Sequence, residues 1–137
     1  MSLPKIGATI VLDGEKEYKD AIANVNRSMS EMRSEMKLVT AQFDGQANTI
    51  EALRKKHEVL KKEYEAQDTK VRTMTGALEN AKKQYGENSK EASDWQIKIN
   101  NATAELAKLD KELKQNDKYM EEAEKSTRVP SQSSARP

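Results

Sequence analysis

Three runs of mostly apolar residues, spaced alternately four and three apart, constrain this chain more than anything else in it. The first is Tyr18, Ile22, Val25, Met29, Met32, Met36, Val39 and Phe43. The second is Ile50, Leu53, His57, Leu60, Tyr64, Gln67, Val71, Met74, Leu78, Ala81 and Tyr85. The third is Ala92, Trp95, Ile99, Ala102, Leu106, Leu109, Leu113, Asn116, Met120 and Ala123. Sustained heptads with charged residues between them specify long helices that bury a narrow seam against one another. Unbroken heptads also imply left-handed winding.

Punctuation in the sequence agrees with the runs. Phe43-Asp44-Gly45-Gln46 ends the first, with Gly45 suited to a left-handed C-cap, and Tyr85-Gly86-Glu87 ends the second. Asn48 and Asn88 each stand three residues before a glutamate, Glu51 and Glu91, as in a capping box. The sequence therefore predicts helices near 15–43, 49–85 and 89–125. Gly76 lies inside the second helix, at a cost of about 1 kcal/mol relative to alanine.

The second and third helices match in length, about 55 Å each at 1.5 Å per residue, and share a short turn. They should fold back as an antiparallel hairpin. Folding about Gly86-Glu87 sets Leu78 against Trp95, Met74 against Ile99, Ala81 against Ala92, Leu60 against Leu113 and Ile50 against Ala123. The polar seam residues His57 and Asn116 then meet. Arg54 pairs with Asp117, Lys61 with Asp110 and Lys70 with Glu105, whereas Glu63 faces Glu112 unfavourably. A slip by one heptad would strand His57 and Asn116 in apolar layers, where unpaired polar groups are costly. The first helix either packs on this hairpin as a third helix or associates with another copy.

Ahead of the helices stands KIGATIVLDG, in which Ile6, Ala8, Ile10 and Leu12 alternate with Gly7, Thr9 and Val11 before Asp13-Gly14. That alternation predicts a short β-strand. A lone strand needs an edge to pair with, and no second strand is legible. It is expected to pair with the same stretch of another copy or to act as a docking arm, so residues 1–14 form an N-terminal arm ahead of a three-helix coiled-coil region at 15–125. The fold class expected is thus all-α, with one N-terminal strand. Residues 126–137 are Ser/Pro-rich without periodicity and should be disordered. Their change of character suggests truncation or an expression scar, and Met1-Ser2-Leu3 fits a cloning leader.

Chemistry is sparse. The 137 residues contain 24 basic and 23 acidic side chains, for a net charge of +1, which argues against nucleic acid or an anionic membrane as main partner. Cysteine is absent, which removes disulfides and thiolate metal sites. The apolar run at Ile6–Leu12 is too short to span a bilayer and lacks the features of a signal peptide, so a soluble, non-secreted protein is expected. His57, the only histidine, sits in a seam with no second ligand nearby and reads as structural. Glu121, Glu122 and Glu124 lie on solvated faces. Lys55-Lys56 and Lys61-Lys62 alternate with glutamates and read as a self-paired face. Asn26-Arg-Ser28 and Asn101-Ala-Thr103 match the glycosylation pattern but fall within helices. No phosphate loop, nucleophile elbow or HExxH occurs, so no catalytic, cofactor or metal role is assigned. The residues singled out for interaction are the arm (Ile6, Ala8, Ile10, Leu12) and the first seam. Within that seam, Met29, Met32 and Met36 read as packing or as an adaptable binding surface.

Several segments together carry a family likeness. They are the strand ending in Asp13-Gly14, the helix Tyr18-x-x-Ala21-Ile22-x-x-Val25-Asn26 and the stretch Ser34-Glu35-Met36-Lys37-Leu38-Val39. The loop Asp44-Gly45-Gln46-Ala47-Asn48-Thr49 and the helix start Ile50-Glu51-Ala52-Leu53 follow. This arrangement resembles the N-terminal region of tail tape measure proteins of long-tailed bacteriophages and prophages. Tyr119-Met120-Glu121-Glu122-Ala123 is similar to the passage of such regions into the next part of the chain. A looser likeness to chromosome-segregation-type coiled coils rests on composition, and the strand and loop favour the phage family.

The resemblance covers roughly residues 5–125. It implies a non-enzymatic structural protein that acts in tail assembly and tail-length determination, by helical self-association or docking. The implied partners are other copies, other phage tail proteins or assembly chaperones. The implied location is the tail-tube lumen of the virion, after assembly in the bacterial host cytoplasm. Whole tape measure proteins are far longer, so this chain is expected to be an N-terminal fragment or remnant. The competing expectation is a generic cytoplasmic coiled-coil scaffold that oligomerises and presents a helical face. A membrane-surface role is disfavoured by narrow seams and mixed-charge faces.

Overall fold

A computed structural model describes residues 9–134, with side chains described to residue 125. It contains three helices: α1 Glu15–Gln42, α2 Ile50–Tyr85 and α3 Lys90–Ser134. The first two agree with the sequence reading to within a residue at each end. The third runs past 125, into the stretch expected to be disordered; no glycine follows Gly86 to supply a C-cap.

The caps fall one residue later than the Asn48 and Asn88 reading. Thr49 caps α2, its Oγ1 accepting from the Ala52 amide, and Ser89 Oγ accepts from the Ala92 amide at the start of α3. In both cases a hydroxyl satisfies an amide of the first turn that has no partner within the helix. Thr49 Oγ1 also donates to the Gln46 carbonyl, which fixes the connecting loop. Gly45 (φ 80) and Gly86 (φ 109) supply the left-handed backbone that the two reversals need.

α2 is the central element, with α1 and α3 both packed on it and running antiparallel to it. Side-chain contacts fix the α2–α3 pairing. Gln67 Nε2 donates to the Ala102 carbonyl at 2.8 Å, and Asn116 Nδ2 donates to the Leu53 carbonyl at 2.8 Å. Leu78, Trp95, Met74, Ile99, Ala81 and Ala92 share one apolar cluster. Leu60, Leu109 and Leu113 share a second. The direct meeting of His57 and Asn116 is corrected: Asn116 turns to a backbone carbonyl instead, and His57 Nδ1 faces Asp117 Oδ1 at 2.8 Å. Asp117 is thereby taken by His57 rather than by Arg54. Asp110 pairs within its own helix with Lys114, at 2.9 Å, rather than with Lys61. Neighbours one turn apart compete for each partner, and seam spacing alone does not rank them.

α1 closes onto its own hairpin. Glu35 of α1 reaches Lys62 of α2 at 3.9 Å, and Tyr85 at the far end of α2 donates to Glu15 at 3.1 Å. No residue of the α1 seam is exposed: Tyr18, Ile22, Met29 and Val39 are buried, and Val25, Met32, Met36 and Phe43 are half-buried. α2 holds two helices because it carries a second buried stripe. Ala52, Val59 and Thr73 are buried and Ala66 half-buried, each one position before the seam residues Leu53, Leu60, Met74 and Gln67. Doubling of an apolar seam at seven-residue intervals widens the face from one helix contact to two.

Candidate interaction surfaces

No β-strand occurs among the described residues, and Ile6 and Ala8 of the expected strand lie outside them. Residues 9–12 are irregular and lie against α2. At its end the segment has two sides. Leu12 packs against the apolar cluster formed by Tyr18, Met74, Trp95 and their neighbours, while Val11 is 77% exposed. The segment's backbone is held without a partner strand. The Ile10 amide donates to the Arg72 carbonyl of α2 at 3.3 Å, and the Leu12 amide donates to the Tyr18 hydroxyl at 2.8 Å.

Gly76 makes this approach possible. A methyl group built at position 76 would collide with the Ile10 carbonyl oxygen and stand 2.8 Å from Tyr18 Cε1. The glycine that weakens the helix on propensity alone is therefore the seat of the arm. Tyr18, 2% exposed, does two jobs from the first turn of α1: its ring fills the core and its hydroxyl, still polar, satisfies an arm amide.

Of the residues expected to mediate interactions, Ile10 and Leu12 of the arm and the whole α1 seam are thus brought together within one chain. The Met29, Met32 and Met36 stripe divides. Met29 is buried against Leu60 and Leu109, whereas Met36 borders an open groove. Large apolar side chains that face outward are Val11, Leu38, Tyr85, Ile97 and Tyr119.

Electrostatics at the α2–α3 contact carry a deliberate-looking conflict that seam spacing does reveal. Burial, and then the Glu112 carboxylate, push the Glu63 carboxyl above its ordinary value, with the Arg33 guanidinium opposing them. Lys70 is shifted down by burial and by Arg33, against a smaller raising effect of Glu105. Both cross-helix neighbours, Glu112 and Glu105, are those given by folding about Gly86-Glu87. Lys98 sits 4.6 Å over the Trp95 ring, a cation–π contact that covers the outer side of the indole.

Among the described residues, no group of three or more histidine, cysteine, aspartate or glutamate side chains could hold a metal ion. Nor is any helix long and apolar enough to cross a membrane. In comparisons with protein-family models, curated proteins and solved structures, the chain shows no match.

Proposed function

We propose that the chain is the N-terminal segment of a bacteriophage or prophage tail tape measure protein, acting as a structural element in tail assembly and tail-length determination. The observation that carries this reading is the order of its parts. A short segment closed by Asp13-Gly14 leads into α1, then the Asp44–Thr49 loop, then two long helices rich in lysine and glutamate. Helix length is proportional to residue number, at about 1.5 Å per residue, so a rod built from such helices can serve as a ruler. In this reading the segment is the docking end of the ruler. Its coiled-coil helices give it rigidity, and its outward surfaces engage other copies, tail proteins or assembly chaperones in the tube lumen.

A generic helical scaffold is the second reading, favoured by the near-balanced charge of the chain and its outward apolar residues Leu38, Ile97 and Tyr119. One experiment separates the two. Tail particles purified from an induced producer strain are digested and analysed by mass spectrometry. Peptides from residues 15–125 in the tail fraction, together with tails that shorten on in-frame deletion of helical segments of the encoded protein, support the tape measure reading. Their absence from assembled tails and from tail precursors contradicts it.

A further inference from the structure

A cavity of about 280 Å³ lies where the three helices meet, and each contributes a lysine to its lining: Lys19 from α1, Lys70 from α2 and Lys98 from α3. Asn26 is the other polar side chain of that lining, which includes no carboxylate. Two of the lysines are engaged. Lys19 pairs with Glu15 at 3.4 Å, and Lys98 sits 4.6 Å over the Trp95 ring. Lys70 differs from both. It is half-buried, as are Lys56 and Lys82 among the described residues. Lys56 donates to the Ala47 carbonyl, and Lys82 pairs with Glu87. Lys70 has no hydrogen bond or ion pair among the described residues.

An amine held partly away from water without an acceptor favours its neutral form, and nearby cations favour that form further. Burial is the first cause that lowers the Lys70 pKa and the Arg33 guanidinium of α1 the second, with Glu105 opposing both. Lys16 and Lys90, each hydrogen-bonded to an aspartate one turn on, are shifted the other way. A desolvated lysine beside another cation is an activated nucleophile, because more of it carries a free lone pair. Its place at a cavity leaves an approach for a small electrophile. The lysines around that cavity select the charge of the electrophile, since they draw an anion. An amide at position 70 would also end the conflict there: it carries no charge to desolvate and none to repel Arg33.

We propose that Lys70 is an acylation site that takes its acyl group from a small anionic donor, an acyl phosphate, whose phosphate group is held by Lys19 and Lys98. The lone pair of Lys70 Nζ attacks the acyl carbon, and the bond from that carbon to the phosphate oxygen breaks, its electron pair leaving on the oxygen. The proton lost from Nζ ends on the departing phosphate. The products are a neutral amide and inorganic phosphate, with no change of oxidation state. The site is independent of the tape measure reading, since it rests only on the packing of α1, α2 and α3.

The test exposes the full chain to acetyl phosphate and follows each lysine by peptide mass spectrometry at low extents of reaction. Lys70 should be acetylated about fivefold or more faster than the exposed lysines. Unfolding the chain in urea should erase that preference. A parallel series uses an uncharged reagent, the N-hydroxysuccinimide ester of acetic acid. Added inorganic phosphate should slow acetylation of Lys70 by acetyl phosphate and leave its reaction with the ester unchanged. The double variant Lys19→Gln, Lys98→Gln should lose about threefold or more of its Lys70 rate with acetyl phosphate, relative to the rate with the ester. Circular dichroism verifies that this variant remains folded. A Lys70 rate no higher than that of the exposed lysines, or a preference that survives urea, would overturn the proposal. So would phosphate inhibition that is absent or equal for the two reagents, or a variant with no selective loss towards acetyl phosphate.

Discussion

The Ile10 carbonyl oxygen occupies the space where a side chain at position 76 would begin, so the arm and the centre of α2 fit together only because residue 76 is glycine. Helix propensity alone says that alanine should improve α2 by about 1 kcal/mol. Packing says the opposite, because backbone cannot yield as a flexible side-chain end does. We expect Gly76→Ala to destabilise the chain by about 1–2 kcal/mol net in urea denaturation, with faster hydrogen exchange at the Ile10 amide. A gain in stability with Ile10 still protected would show that the arm does not rest there.

Tyr18→Phe isolates the other attachment of the arm. The ring remains in the core and only the hydroxyl that accepts from the Leu12 amide is lost. The expected cost is about 1 kcal/mol. Exchange at Leu12 should accelerate while the helical circular dichroism signal is unchanged. An unaltered Leu12 exchange rate would argue against this hydrogen bond.

The α2–α3 register is tested by a cysteine pair at Leu60 and Leu113, in a chain that has no native cysteine. Oxidation should give a rapid crosslink within one chain. If the crosslinks are exclusively between chains, the hairpin is wrong.

Glu63 gives a pH signature. Its folded-state pKa is raised, first by burial and then by Glu112, so the folded chain holds this proton more tightly than the unfolded chain does. The ionised carboxylate therefore lowers stability above its folded pKa. That penalty fades as pH falls through the raised value towards the ordinary glutamate pKa, about 4.3. Glu63→Gln should be more stable than the wild type at neutral pH by about 0.5–1 kcal/mol, a modest effect because the site borders an open groove. The two stability curves should converge on acidification. A constant offset across the pH range would mean that the charge is not its cause.

The heptads made the three helices and their pairing legible, because a seam position can be counted along a helix and reflected across a turn. The approach of Glu63 to Glu112 follows from the same counting. The position of α1 was harder to read, since the second stripe of α2 is made of small or β-branched residues, Ala52, Val59, Ala66 and Thr73, that stand beside a stronger seam. Their seven-residue recurrence was the available signal. Within the described part of the arm, Leu12 faces inward and Val11 outward, and Ile10 meets a helix of its own chain. Alternation tells which residues face inward, not whether the surface they meet is a strand or a helix. Gly76 held that information, and helix propensity treats it only as a weakness.

Closure of the arm and α1 onto their own hairpin is the claim on which the rest of the account depends. Isotope-filtered NOE spectroscopy on a one-to-one mixture of labelled and unlabelled chains tests it most directly. Contacts from Leu12 to the Tyr18 ring, and from Ile10 to Gly76, should appear within labelled chains and be missing between labelled and unlabelled ones. If those contacts appear between chains, the arm is exchanged among copies, and the closed single-chain unit described above is contradicted.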